Sequence, residues 1–284
     1  MSKGLLDPKV DFVFKNIFGS PYHPEILISF LNATLKPKRK IVNVDIKKTD
    51  IEKQYIEDKY SRLDVKATTS NNEIINIEIQ LKNENNMIKR SLYYLSKMYE
   101  EQLNEKEDYS KLVRTVCINI LNFKYLKTDN FHTGYRFKEI ETNEELTDVM
   151  EVHFIEIPKL QNSSDEKDML VAWTEFLKDP ESEKVRGLEL SIEEIRQAKD
   201  ELIRMSNDST QRQLYDMRAN SLRDKISELN AAERKGIEKG IEKGKKEEKI
   251  AIARNLLDVL DNETIALKTG LTILDVEKLR SKSK

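Results

Sequence analysis

Cysteine is nearly absent from this chain: Cys117 is the only one in 284 residues. That excludes an intrachain disulfide framework and a cysteine-rich zinc site. Its place in the apolar run from Val113 to Phe123 reads as a small buried hydrophobe. Histidine is scarce too, and His23, His132 and His153 show no metal-ligand spacing. No apolar run approaches the ~20 residues of a membrane span, and 35% of the residues are charged against 38% hydrophobic. The opening Met-Ser-Lys-Gly leads into a helix start rather than a secretory signal. The expectation is a chain with no membrane part, at home in the cytoplasm. Also missing is an excess of positive charge, since the formal net charge is −2. A strongly basic nucleic-acid binder is thereby excluded, and only local clusters remain. These are Lys36, Lys38, Arg39 and Lys40, then Lys47 and Lys48, and Lys243, Lys245 and Lys246, each of which also reads as a solvated face.

What is present is long enough for one sizeable core plus an appendage. From Ile75 to Leu81 apolar and polar residues alternate, with Ile75, Ile77, Ile79 and Leu81 on one side and Asn76, Glu78 and Gln80 on the other. That period of two predicts a strand. The run from Arg62 to Thr69, with β-branched Val65, Thr68 and Thr69, predicts another, and Ser70-Asn71-Asn72 supplies the turn between them. Antiparallel partners share a face when their indices sum to an even number. A three-residue loop over residues 70–72, with Asn in the left-handed region, therefore sets Asp64 opposite Glu78. A two-residue Asn-Asn loop would turn Asp64 away.

Asp64, Glu78 and Gln80 then gather oxygen-bearing side chains on one face. Neighbouring carboxylates repel unless a cation lies between them. Hard oxygen donors of this kind suit Mg²⁺, with Mn²⁺ as a substitute. A solvated strand face can carry the same residues without chemistry.

Asp7, with Pro8 behind it, predicts a helix start, and Gly19 a left-handed stop. Val10, Val13, Phe14 and Ile17 form the stripe between them. Asp11 on its flank reads either as an i,i+4 ion-pair partner of Lys15 or as an acid supporting a metal site. Pro24 opens a second helix that stops before Pro37. Further strands are expected over residues 41–46, 113–121 and 152–157. A helix from Ile88 to Leu103 would place Leu92, Leu95, Met98 or Tyr99, and Leu103 toward the core. Arg90, Tyr94 and Lys97 fall on another side, suited to gripping phosphates or simply exposed.

Past residue 160 the pattern turns helical, with Trp173, Phe176 and Leu177 as one stripe and amphipathic runs over residues 191–205 and 211–229. Three regions are expected: a core over 1–160, a helical brace over 161–232, and a tail over 233–284. The tail repeats every four residues from Lys235 to Gly244. Gly236, Gly240 and Gly244 each cost a helix interior ~1 kcal/mol, so the segment reads either as a linker or as a seam for homo-oligomer formation. Asn262 is expected to cap a short helix, and Thr272 with Asp275 forms a capping box for the last one.

Asp7 to Gly19, Arg62-Leu-Asp-Val-Lys66, Asn76-Ile-Glu-Ile-Gln80 and Lys89 to Tyr99 together resemble the recombination-promoting nuclease and transposase family of bacteria. That family lies within the PD-(D/E)XK nuclease superfamily. Gln80 stands where lysine is usual in the superfamily, which removes a positive charge and leaves an amide to orient water. The resemblance implies an α/β fold, a restriction-endonuclease-like mixed sheet flanked by helices, followed by an all-helical C-terminal region. It implies a bacterial, Mg²⁺-dependent DNA endonuclease linked to recombination or transposition. Asp64, Glu78 and Gln80 would be catalytic, with Asp64, Glu78 and Asp11 on the metal and Arg90, Tyr94 and Lys97 on DNA. The alternative is a non-catalytic DNA-binding or self-assembling interaction protein.

Overall fold

A computed structural model describes residues 4–47, 65–161, 164, 165 and 167–282. The chain divides into two compact units, Met1–Asn220 and Ser221–Lys284. The first is built on six strands: β1 (Val44–Lys47), β2 (Val65–Thr69), β3 (Ile74–Gln80), β4 (Thr115–Leu121), β5 (His132–Lys138) and β6 (Glu145–Glu156). Their order across the sheet is β1-β2-β3-β4-β6-β5. β1, β2 and β3 are antiparallel, β3, β4 and β6 run parallel, and β5 returns antiparallel on the edge. The mixed α/β sheet expected from the sequence is present.

The alternation in β3 is realised as two buried faces. Ile75, Ile77 and Ile79 join Val116, Ile118 and Ile120 of β4 in the main core. Helices α1 (Asp11–Phe18), α2 (Pro24–Leu35), α4 (Met169–Lys178) and α6 (Glu193–Asn207) contribute Phe14, Phe18, Phe30, Trp173, Phe176 and Leu202 to the same core. The short α5 (Glu183–Glu189) adds Val185. α3 (Met87–Glu100) covers the other face, packing Met87 and Leu95 on Cys117, Leu121, Val152 and Phe154. A strand sealed on both sides loses the solvated-face explanation for Asn76 and Glu78, which are 0% and 1% exposed.

The β2–β3 turn has the expected form. The Thr69 N–H donates to the Glu73 carbonyl at 2.9 Å, leaving residues 70–72 as the loop, and Asn72 takes φ 60°. Val65 lies opposite Ile77 and Lys66 opposite Asn76, so the even parity holds throughout the described pairs.

Several expectations are corrected. α1 begins at Asp11 rather than at Pro8. Asp7 closes a local turn instead, accepting from the Lys9 N–H at 2.9 Å through its side chain and from the Val10 N–H at 3.1 Å through its carbonyl. Gly19 ends α1 at φ −101°, outside the left-handed region. Glycine suits it for another reason: a Cβ there would stand 2.7 Å from the Lys15 carbonyl oxygen. Leu92 is 49% exposed, not in the core. The buried stripe of α3 is Met87, Ser91, Tyr94, Leu95 and Met98, because Ser91 turns inward to donate to Asn119 at 2.8 Å. β5 was not anticipated.

α7 (Ser209–Leu256) is one helix that carries the run expected over residues 211–229 on through the glycine repeat. The second unit contains its C-terminal part, α8 (Asn262–Thr269) and α9 (Ile273–Lys282), around Ala253, Leu257, Ile265, Ala266 and Val276. Asp261, not Asn262, caps α8 by accepting from the Thr264 N–H, and Gly270 closes it at φ 66°. The Thr272–Asp275 capping box is present: the Asp275 N–H donates to Thr272 Oγ at 3.1 Å and the Thr272 hydroxyl to Asp275 at 2.6 Å.

Candidate active site

β3 carries Glu78 to the middle of the sheet face that α3 covers. Its neighbour across the parallel ladder is Asn119 on β4. Asn119 is fully committed, accepting from Ser91 at 2.8 Å and donating to the His153 carbonyl at 3.1 Å. That lattice fixes α3 against the sheet and sets the wall of the site. Arg90, directly before Ser91 on α3, reaches β3, and its Nε lies 3.3 Å from Glu78 Oε2. The Arg90 guanidinium also sits 5.4 Å from the centre of the Tyr94 ring, within cation–π range.

Glu78 Oε1 accepts from Asn76 Nδ2 at 3.5 Å, a long contact. Burial pushes the Glu78 carboxyl above its ordinary pKa, opposed first by the Arg90 charge, then by hydrogen bonds from Arg90 and Asn76 and by the charge of Lys15. Beneath them Cys117 stays a thiol, pushed up to about 12 by burial and by the Glu78 charge. Asn76 Oδ1 is buried with no hydrogen-bond partner. An unmatched acceptor beside a desolvated carboxylate leaves a local shortage of positive charge or donors.

Gln80 ends β3, partly exposed, where its carbonyl accepts from the Asn122 N–H at 2.9 Å. By strand alternation its side chain shares a face with Asn76 and Glu78. Asp11, half-exposed at the start of α1, lies 3.7 Å from Arg218 Nη1. Tyr94 is only 6% exposed, packed with Met98 and Ile74. Lys97 pairs with Glu100 at 3.3 Å on the outer side of α3. Glu78, Arg90 and Tyr94 are thus brought together, whereas Asp11 and Lys97 are engaged with other surface charges. Asp64 lies outside the described residues.

Sequence reading missed Asn76, Asn119 and the reach of Lys15. Lys15 was weighed only as a partner for Asp11, yet its charge acts on Glu78 from a helix more than sixty positions away. The alternation in β3 could have flagged Asn76, since it shares the face of Glu78.

Donor chemistry here fits a hard divalent cation: carboxylate and carboxamide oxygens, with the one thiol kept protonated. Among the described residues no three His, Cys, Asp or Glu side chains form a cluster that would hold a metal alone. No described helix is long and apolar enough to cross a membrane. Neither the curated proteins nor the solved structures give a match. The model of the PD-(D/E)XK nuclease family transposases does match, over residues 8–232, a span that includes the whole sheet, Glu78 and Arg90. PD-(D/E)XK nucleases generally use divalent metal ions, and DNA is the substrate such a family implies. Matched along most of its length, the chain belongs to the PD-(D/E)XK nuclease family of transposases.

Proposed function

We propose that this protein is a Mg²⁺-dependent DNA endonuclease that hydrolyses phosphodiester bonds during recombination or transposition in the bacterial cytoplasm. The observation that carries the reading is Glu78: a carboxylate 1% exposed on β3, beside an unsatisfied carboxamide oxygen. A protein that needed only packing would fill this place with an apolar side chain at less cost.

In this reading Asp64 and Glu78 would hold the ion, Asp11 would support it, and Mn²⁺ would substitute. Once bound, the ion supplies positive charge at the scissile phosphate and acidifies a water. Gln80 orients the attacking water through its amide. Lys15 contributes the positive charge that an amide at position 80 lacks. Arg90, steadied over the Tyr94 ring, holds the DNA backbone, and Lys97 adds an outer contact. Self-association through residues 236–244 of α7 completes the proposal. A Cβ built at Gly236, Gly240 or Gly244 meets nothing within 4 Å, which leaves room for a second helix.

Supercoiled plasmid incubated with pure protein tests the activity. Nicking is expected with Mg²⁺ or Mn²⁺ and is expected to disappear with EDTA and in Asp64→Ala and Glu78→Gln. Nicking that survives chelation and both substitutions would assign the cleavage to a contaminant and leave this reading without support.

A further inference from the structure

Removing a carboxylate from water as completely as at Glu78 requires a compensating cation. Arg90 provides it, with its Nε 3.3 Å from Glu78 Oε2. The two partners differ in their surroundings. The Glu78 side chain is 2% exposed and that of Arg90 is 21%, so the guanidinium reaches from the pocket toward solvent. Arg90 has a second support that does not involve Glu78, the Tyr94 ring at 5.4 Å. A divalent ion on the same carboxylate would repel the guanidinium strongly at this range in a poorly solvated site. Arginine's planar fork is then matched to phosphate oxygens.

We infer that Arg90 exchanges partners, holding Glu78 in the metal-free protein and turning to a DNA phosphate when a divalent ion occupies that carboxylate. Metal and DNA therefore bind cooperatively, each raising the affinity for the other by the same factor. The inference rests on the reading of Glu78 as a metal ligand and DNA as substrate. It adds a regulatory consequence: without metal, the arginine is withheld from DNA.

The exchange is tested by fluorescence anisotropy on a short duplex with the full chain, in EDTA or in Ca²⁺. Mn²⁺ binding without DNA is followed by electron paramagnetic resonance. Wild type is expected to bind DNA at least about 5-fold more tightly with Ca²⁺, the lower end of typical coupling. Arg90→Met should lose most of the gain in Ca²⁺ and bind Mn²⁺ more tightly than wild type. Glu78→Gln should free the arginine without any metal, so DNA binding in EDTA rises, and adding Arg90→Met should cancel that rise. The Glu78→Gln arm stands even if Arg90→Met alone fails to fold. Equal weakening of DNA binding by Arg90→Met in EDTA and Ca²⁺ would overturn the exchange in favour of a permanent contact. No change in either would overturn it in favour of a purely structural pair. Mn²⁺ binding that is absent, or unaltered in Glu78→Gln, removes the metal reading and the exchange with it. Mn²⁺ binding lost in Glu78→Gln, with no change in DNA affinity, leaves the metal reading standing and removes the exchange alone.

Discussion

Glu151 on β6 is 3% exposed, yet its carboxylate accepts from Arg114 Nη2 at 2.6 Å, Arg136 Nε at 2.7 Å and His153 Nε2 at 2.5 Å. His153 Nδ1 in turn lies 2.9 Å from Nε2 of His132 on β5, and the two rings stack. This chain of contacts ties the edge strand to the sheet, and both of its ends lose stability on acidification, in different pH windows. Hydrogen bonds from His153, Arg136 and Arg114 overcome burial and hold Glu151 down to about 2. Its stabilising contribution is complete above the ordinary carboxylate range and is lost as the pH falls through 2. Burial, then the charges of His153 and Lys36, push His132 down to about 4, against Asp168 and Glu151. The unfolded chain protonates that ring near about 6.5, so stability is lost as the pH falls from there to about 4. Urea midpoints measured across that window should therefore decline in wild type and flatten in His132→Asn. An unchanged decline in the variant would refute the role given to His132. At neutral pH Glu151→Gln should cost roughly 3 kcal/mol, because it strands buried donors, a loss readable from the same urea curves.

At the scale of elements, what could be read depended on whether the local pattern matched the tertiary demand. β3 was legible because alternation of isoleucine with polar residues survives burial on both faces. The hairpin was legible because parity and the tolerance of Asn72 for positive φ are local properties. Asn72→Val should cost about 1–2 kcal/mol, the price of a β-branched residue in that region, and Asn72→Gly should be close to neutral by thermal denaturation. On α3 Leu95 and Met98 face inward as expected, but counting leucines wrongly favoured Leu92. The helix instead turned Ser91 and Tyr94 inward to meet a polar sheet face. β5 escaped notice because five of its seven residues are exposed and the strand is defined by pairing with β6. α7 passes straight through three glycines that suggested a break. Alanine at Gly236, Gly240 and Gly244 should raise helix stability by about 1 kcal/mol each, observable in the thermal melt. If those glycines admit a second copy, the same substitutions should lower the oligomer content by light scattering. A monomer in both proteins would remove the self-association.

For the whole molecule the tension lies between a DNA substrate and a net charge of −2. The sequence places Glu78 and Gln80 together because they lie two positions apart on one strand. Arg90 was read only as a phosphate-gripping residue and Lys15 only as a partner for Asp11; their convergence on Glu78 was not legible, because they come from helices on either side of β3 in sequence. A protein that compensates DNA at a few places should release few counterions. Each neutralised phosphate contributes about −0.9 to the slope of log affinity against log salt. With about three contacts, from Arg90, Lys15 and Lys97, raising salt from about 50 to 200 mM should weaken binding by roughly 40-fold on that relation. An extended basic surface with six to ten contacts would lose about 10³–10⁵ over the same range. Anisotropy titrations in Ca²⁺ at four salt concentrations separate the two. A steep slope would mean that residues beyond these three form the main DNA surface. A shallow slope that becomes shallower by about one unit in Arg90→Met, and only when metal is present, would tie the whole-molecule charge balance to the single ion pair at Glu78.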